Sequence, residues 1–160
     1  MRIRTQDEAV LWLHSLVRAG APRGKAAHES STQLFQQLGN PQDAIPAVHI
    51  VGTAGKGSAS AALTVGLLAA GESVAAHLSP HVYDLRERFT IDASLPDWTQ
   101  VVEAVDAVAV AAARMATAPT FFAATTATAV KLGRQCGVDR LVIEAGIGGR
   151  VDATNVLGRE

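Results

Sequence analysis

At 160 residues and 16.6 kDa, with 48% apolar residues, 18% charged residues and a net charge of −1, the chain has the length of one domain and can bury about 70% of its unfolded surface. That balance excludes a disordered tail and gives no sign of a nucleic-acid-binding surface. The single cysteine, Cys136, excludes an internal disulfide and reads as a buried thiol. The charged start Met1 to Glu8 lacks the apolar stretch of a secretory signal. The longest greasy run, Val101 to Ala113, is too short to span a bilayer and is interrupted by Glu103 and Asp106. A soluble protein of the reducing cytoplasm, without membrane or nucleic-acid partners, is the expectation.

Thr5 and Glu8 form a capping box, and Val10, Leu11, Leu13, Leu16 and Val17 then recur at helical spacing, predicting a first helix that runs to Gly20. Its Trp12 and His14 read as a core-facing aromatic and a surface imidazole. Ala21-Pro22-Arg23-Gly24 breaks the pattern, and a second helix is expected from about Ala26 to Leu38, closed by Gly39 with Pro41 beyond.

Val48 to Val51 is a short apolar run ending at Gly52, followed by Gly52-Thr53-Ala54-Gly55-Lys56-Gly57-Ser58 and an alanine-rich helix from about Ser58 to Ala70. Strand, tight glycine loop and helix N-terminus together make a phosphate seat. The backbone N–H groups point outward where the helix dipole is positive, and Lys56 adds a mobile charge. The spacing is a variant of the common phosphate loop, because Ile50 stands where its first glycine belongs and Gly57 separates Lys56 from the hydroxyl of Ser58.

Ser73 to Leu78 reads as the next strand, and strand, crossover helix and strand predict a parallel sheet with right-handed connections. Ser79-Pro80-His81 follows at its carboxyl end, on the rim where open α/β sheets bind ligands. Arg86-Glu87-Arg88 reads as a solvated charge run before a short strand, Phe89-Thr90-Ile91. Ser94 and Asp97 form an expected second capping box opening a helix to about Met115. Pro119 interrupts, a helix spans Phe121 to Cys136 up to Gly137, and Arg140 to Glu144 is a buried strand. Glu144, followed by Gly146, Gly148 and Gly149, offers Mg²⁺ a hard oxygen ligand beside a close-approaching backbone, the alternative being a solvated acid at a strand end before a flexible loop.

In order, Gly-Thr-Ala-Gly-Lys-Gly-Ser, Ser-Pro-His, Thr-Phe-Phe and Glu-Ala-Gly-Ile-Gly-Gly-Arg-Val-Asp-Ala-Thr-Asn resemble the N-terminal motifs of the folylpolyglutamate synthase and dihydrofolate synthase family, members of the Mur-ligase group. Leu38 to Gln42 resembles that family's lead-in. The resemblance implies an α/β fold of three layers, with a mostly parallel sheet, helices on both faces and the variant phosphate loop after the first strand. It implies ATP at Gly52, Thr53, Gly55, Lys56, Gly57 and Ser58, with Lys56 serving catalysis, and Mg²⁺ at Ser79 and Glu144. It further implies a folate or dihydropteroate surface at Thr120, Phe121, Phe122, Val151, Asp152 and Ala153, and addition of L-glutamate through an acyl phosphate. The pattern departs at Ala54, Ala123 and Ala27-His28. Residues 1–160 are expected to be a partial N-terminal ATP-binding domain, inactive alone, since family enzymes continue into a histidine that completes the metal site and into a C-terminal glutamate-ligase domain. The alternatives are a non-catalytic nucleotide-binding module and a Mur-type ligase acting on a different acid.

Overall fold

Alternation of apolar residues along short runs, and small residues along one long helix, decide how this chain layers. The computed structural model describes residues 2–17 and 22–157. In chain order it has α1 (Gln6–Ser15), α2 (Lys25–Gln37), a 3-10 turn at Pro41–Ala44, β1 (Ala47–Ile50), α3 (Lys56–Ala69), β2 (Val74–His77), a 3-10 turn at Leu85–Arg88, β3 (Phe89–Ile91), α4 (Trp98–Ala112), α5 (Phe121–Cys136) and β4 (Arg140–Glu144). The sheet order is β1-β4-β2-β3; β4 is parallel to both neighbours, and β3 runs antiparallel to β2. The last parallel strand in sequence thus lies between the first two.

Successive residues of a strand face opposite sides of the sheet. Val74, Ala76 and Val142 face α3, which meets them with Leu63, Leu67 and Leu68. Ala75, Leu141 and Ile143 join the larger core on the other side, with α1, α2, α4 and α5. Helices on both faces of a mostly parallel sheet make the expected three layers.

Helix α5 lies close to the sheet because its inner face is Ala, Thr and Gly. Ala123, Ala124, Ala127, Thr125 and Thr128 are fully buried. The hydroxyls of Thr126 and Thr128 donate to the carbonyls of Phe122 and Ala124 at 2.9 Å, so burying them leaves no donor unpaired. At Gly133 a Cβ would come within 2.9 Å of Leu141 Cδ2 and 3.2 Å of Ala75 Cβ. The helix ends where Gly137 turns left-handed.

Several boundaries differ from the sequence reading. α1 ends at Ser15, and Gly20, its expected terminus, lies outside the described residues. β1 and α3 each begin earlier than expected, which places Lys56 and Gly57 in the first turn of a helix. α4 opens on Asp97, whose N–H donates to Gln100 Oε1 at 3.0 Å. Ser94 instead bridges back to Ile91, so the expected Ser94 and Asp97 box does not form. Asp106, read as an interruption, accepts from the Ile3 N–H at 2.7 Å and pins the N-terminal segment to α4.

Gly133→Val is expected to lower stability by about 1–3 kcal/mol through overpacking of α5 against β2 and β4, read as a lower urea midpoint. An unchanged midpoint would mean that the helix can lift from the sheet at no cost.

Candidate functional site

The three parallel strands β1, β2 and β4 end on one rim, and their following loops carry the residues that the sequence singled out. After β1, Gly55 adopts φ 75°, a left-handed conformation suited to glycine, and serves as the N-cap of α3. The Ala59 N–H donates to the Gly55 carbonyl at 2.9 Å, so the N–H groups of Lys56, Gly57 and Ser58 precede the first intrahelical donor. Lys56 Nζ reaches back to the Gly52 carbonyl at 3.2 Å. Gly52, Thr53, Gly55, Gly57 and Ser58 are exposed and Lys56 is half-buried. This is an open cradle of donors with a positive charge folded over it.

Glu144, at the end of β4, is only 4% exposed. Its Oε2 accepts the Ser79 N–H at 3.0 Å, and a Cβ on Gly57 would sit 4.0 Å from the same oxygen. The β4 carboxylate therefore joins the β2 loop to the first turn of α3. Oε1 accepts no hydrogen bond from the described residues. A buried carboxylate with one bare oxygen suits a hard divalent cation, whose remaining ligands come from hydroxyl, water and phosphate oxygens. Among the described residues there is no group of three or more His, Cys, Asp and Glu side chains that could hold a metal.

The loop after β4 turns back on itself. Asp152 accepts from the Ile147 N–H and the Thr154 N–H, each at 2.9 Å, and from the Thr154 hydroxyl at 2.5 Å. With its proton on Asp152, the Thr154 hydroxyl accepts from His49 Nε2 at 2.7 Å, which ties the loop to β1. The Ala153 carbonyl accepts from Ser31 Oγ of α2 at 2.6 Å. Asp152 and Ala153, expected on the acceptor surface, are 7% and 4% exposed and hold this loop in place. Val151 remains 43% exposed.

The other expected acceptor segment meets this loop. Thr120 caps α5 by accepting the Ala123 N–H at 3.0 Å. The Phe122 ring lies where a Cβ on Gly146 would be 2.9 Å away, and that Cβ would be 3.4 Å from Asp152 Oδ2. Phe121 lies beneath the Arg88 guanidinium, 5.0 Å from it. The sequence reading placed Arg88 in a solvated run, yet it is 7% exposed. Asp84 and Glu87 form a capping box that turns the segment and directs Arg88 inward. That pair was the signal available in the sequence.

His77, at the end of β2, was also missed. It is fully buried between the rings of Phe89 and Phe122. The Thr125 hydroxyl donates to the Phe122 carbonyl at 3.0 Å, so it accepts from His77 Nε2 at 3.3 Å, leaving Nδ1 as a bare acceptor. Burial, and secondarily the Arg88 charge, lower its pKa from 6.5 to about 3. Burial likewise lowers His49.

A cleft of about 1040 Å³ lies elsewhere, lined by Asn40, Pro46, Ala47, Arg140 and Asn155 at the start of β1 and β4. Its size does not outweigh chemistry, because the outward N–H cradle, Lys56 and Glu144 are all at the opposite ends of these strands.

No protein-family profile matches the chain. The folylpolyglutamate synthase of Lacticaseibacillus casei is 38% identical over 156 residues, covering 94% of this chain and 36% of that protein. The solved apo form of L. casei FPGS superposes with a TM-score of 0.87 at 36% identity, over 96% of this chain and 38% of the other. This chain is a relative of the folylpolyglutamate and dihydrofolate synthases. An FPGS–AMPPCP–folate complex matches at TM-score 0.85 and 36% identity, over 96% and 38% of the two chains. The chain therefore spans less than two fifths of the length of these relatives. Among the described residues no helix is long and apolar enough to cross a membrane.

His77 makes stability depend on pH. The unfolded chain takes up this proton near pH 6.5 and the folded chain only near 3, so its contribution is complete above the first value and drains as pH falls toward the second. Stability should drop by about 1.4 kcal/mol per pH unit across that window from this residue. Urea unfolding at a series of pH values checks this, and His77→Gln should flatten the slope. Equal slopes would contradict the burial argument.

Proposed function

We infer that this chain is the ATP-binding portion of an ATP-dependent amide ligase that adds L-glutamate to the carboxylate of folate or dihydropteroate. One observation carries the reading: the donor cradle at Gly52 to Ser58 and the buried Glu144 carboxylate meet at Gly57. The solved relatives support it, since one is complexed with AMPPCP and folate and another, from E. coli, with DHPP and ADP.

In this reading the triphosphate lies on the N–H groups of Lys56, Gly57 and Ser58, with the Lys56 ammonium against its outer oxygens. Ser79 and Glu144 would hold Mg²⁺. Bound there, the ion neutralises charge on the phosphoryl group in transfer. Phe121, Phe122 and the loop from Val151 to Ala153 border the acceptor, with Thr120 and Asp152 fixing that border from beneath. An acceptor carboxylate oxygen attacks the γ-phosphorus, ADP leaves, and the glutamate amine then displaces phosphate from the acyl phosphate to form the amide. Lys56 and the cradle contribute position and charge neutralisation.

The glutamate site and a C-terminal ligase domain are assigned to the part of the relatives that this chain does not span. The isolated 160 residues should bind nucleotide without ligating; steady formation of amide from ATP, glutamate and dihydropteroate by this chain alone would contradict that. Ala54 and Ala123, which replace the asparagine and acid of the family's pattern, favour a second reading as a non-catalytic nucleotide-binding module. Titration of pteroate in the presence of AMPPCP separates the two, because the module would bind only nucleotide.

Lys56→Ala is expected to weaken ATP binding by about 1.5–3 kcal/mol, the worth of a charge-assisted hydrogen bond, measured by calorimetric titration. Unchanged affinity would remove the phosphate-loop assignment.

A further inference from the structure

The segment between β2 and β3 contains a cation with no carboxylate of its own. Glu87 gives its oxygens to the N–H groups of Val82, Tyr83 and Asp84. Asp84 is taken by Arg86 in a pair at 2.7 Å. Arg88 is left with a hydrogen bond from Nε to His81 Nδ1 at 2.8 Å and the face of Phe121. Its Nη1 is buried without a partner. Arg2, Arg86 and Arg140, by contrast, have carboxylates at 3.0, 2.7 and 2.7 Å.

A buried guanidinium with an unused donor is a cost that the fold does not recover by itself. Its location shows what could recover it. The Arg88 carbonyl accepts the Leu78 N–H at 3.2 Å and Phe89 pairs with His77, so Arg88 sits at the end of β2 that leads into Ser79. Glu144 is near enough to act on its charge, yet the two form no ion pair. Phe121 is under the guanidinium, and Phe122 is the next residue of α5. A flat apolar border therefore ends at a rigid fork of donors beside the cradle assigned to phosphate. The matching ligand is a planar aromatic acid whose carboxylate takes both ends of the fork.

We propose that Arg88, held by His81 and Phe121, seats the carboxylate of the acceptor acid and presents it to the nucleotide. This rests on the reading of the rim as an acceptor site and adds the residue that recognises the reacting group. The fork fixes the carboxylate in one orientation. Its charge offsets the repulsion between that anion and the triphosphate. The sequence motifs for the acceptor, Thr120 to Phe122 and Val151 to Ala153, supply only its aromatic border.

The test compares pteroate with pteroamide, which differ only in carboxylate against carboxamide, binding to the whole chain with AMPPCP and Mg²⁺ present. The unaltered chain should bind the acid at least about tenfold more tightly than the amide. Arg88→Gln should abolish that preference, and Arg88→Lys should restore part of it. Should Arg88→Gln fail to fold, the side-chain ¹⁵N resonances of Arg88 in the unaltered chain give the same answer, shifting with the acid and not with the amide. Equal affinity for acid and amide, or unshifted Arg88 resonances on pteroate binding, overturns the proposal and leaves the folate reading standing. Binding of AMPPCP with neither pterin overturns both.

Discussion

A single buried carboxylate organises the rim. Glu144 is carried there by β4, the strand lying between β1 and β2, so its side chain emerges between the loops that follow them. Its bond to the Ser79 N–H fixes the β2 loop, and the first turn of α3 passes within van der Waals reach of the same oxygen at Gly57. Any other strand order would separate these loops.

Around that carboxylate the polar groups divide into those consumed by the fold and those left over. Asp152, Thr154 and His49 form a closed chain of hydrogen bonds that anchors the glycine-rich loop after β4. Thr120 and Glu87 are likewise spent on backbone N–H groups. Buried side-chain atoms without a partner occur also at His28, Ser30, Gln42, Ser60 and His77; those left over on the rim are the first-turn N–H groups of α3, Oε1 of Glu144 and Nη1 of Arg88. Buried donors and acceptors are ordinarily paired, so these are the groups through which this surface can do chemistry. The aromatic rings of Phe121 and Phe122 keep part of it dry, which strengthens each charge interaction there.

Much of this arrangement could be read from residue order. Strong local signals placed β3, α5 and β4 at the observed bounds: short apolar runs for the strands, and Pro119 before and Gly137 after the helix. The exposed loop of N–H donors after β1 was readable for the same reason, since a strand, glycines and a helix start are contiguous. Long-range pairing was not. No local pattern says that β4 inserts between β1 and β2, or that Asp152 faces Thr154 and His49 rather than a ligand. Arg88 was misread because charge runs are usually solvated; the inward turn follows from the local capping box of Asp84 and Glu87, with Glu87 accepting from three nearby N–H groups, a pattern the sequence carried and the reading passed over. The expected Ser94 and Asp97 box failed because Gln100 competes for Asp97.

The most direct test maps the backbone amide shifts of the ¹⁵N-labelled chain during titration with Mg²⁺ and AMPPCP. The account predicts shifts concentrated at Gly52 to Ser58, Ser79 and Glu144, on one rim. Shifts confined to Asn40, Ala47 and Arg140 around the large opposite cleft, with the glycine loop unmoved, would contradict it.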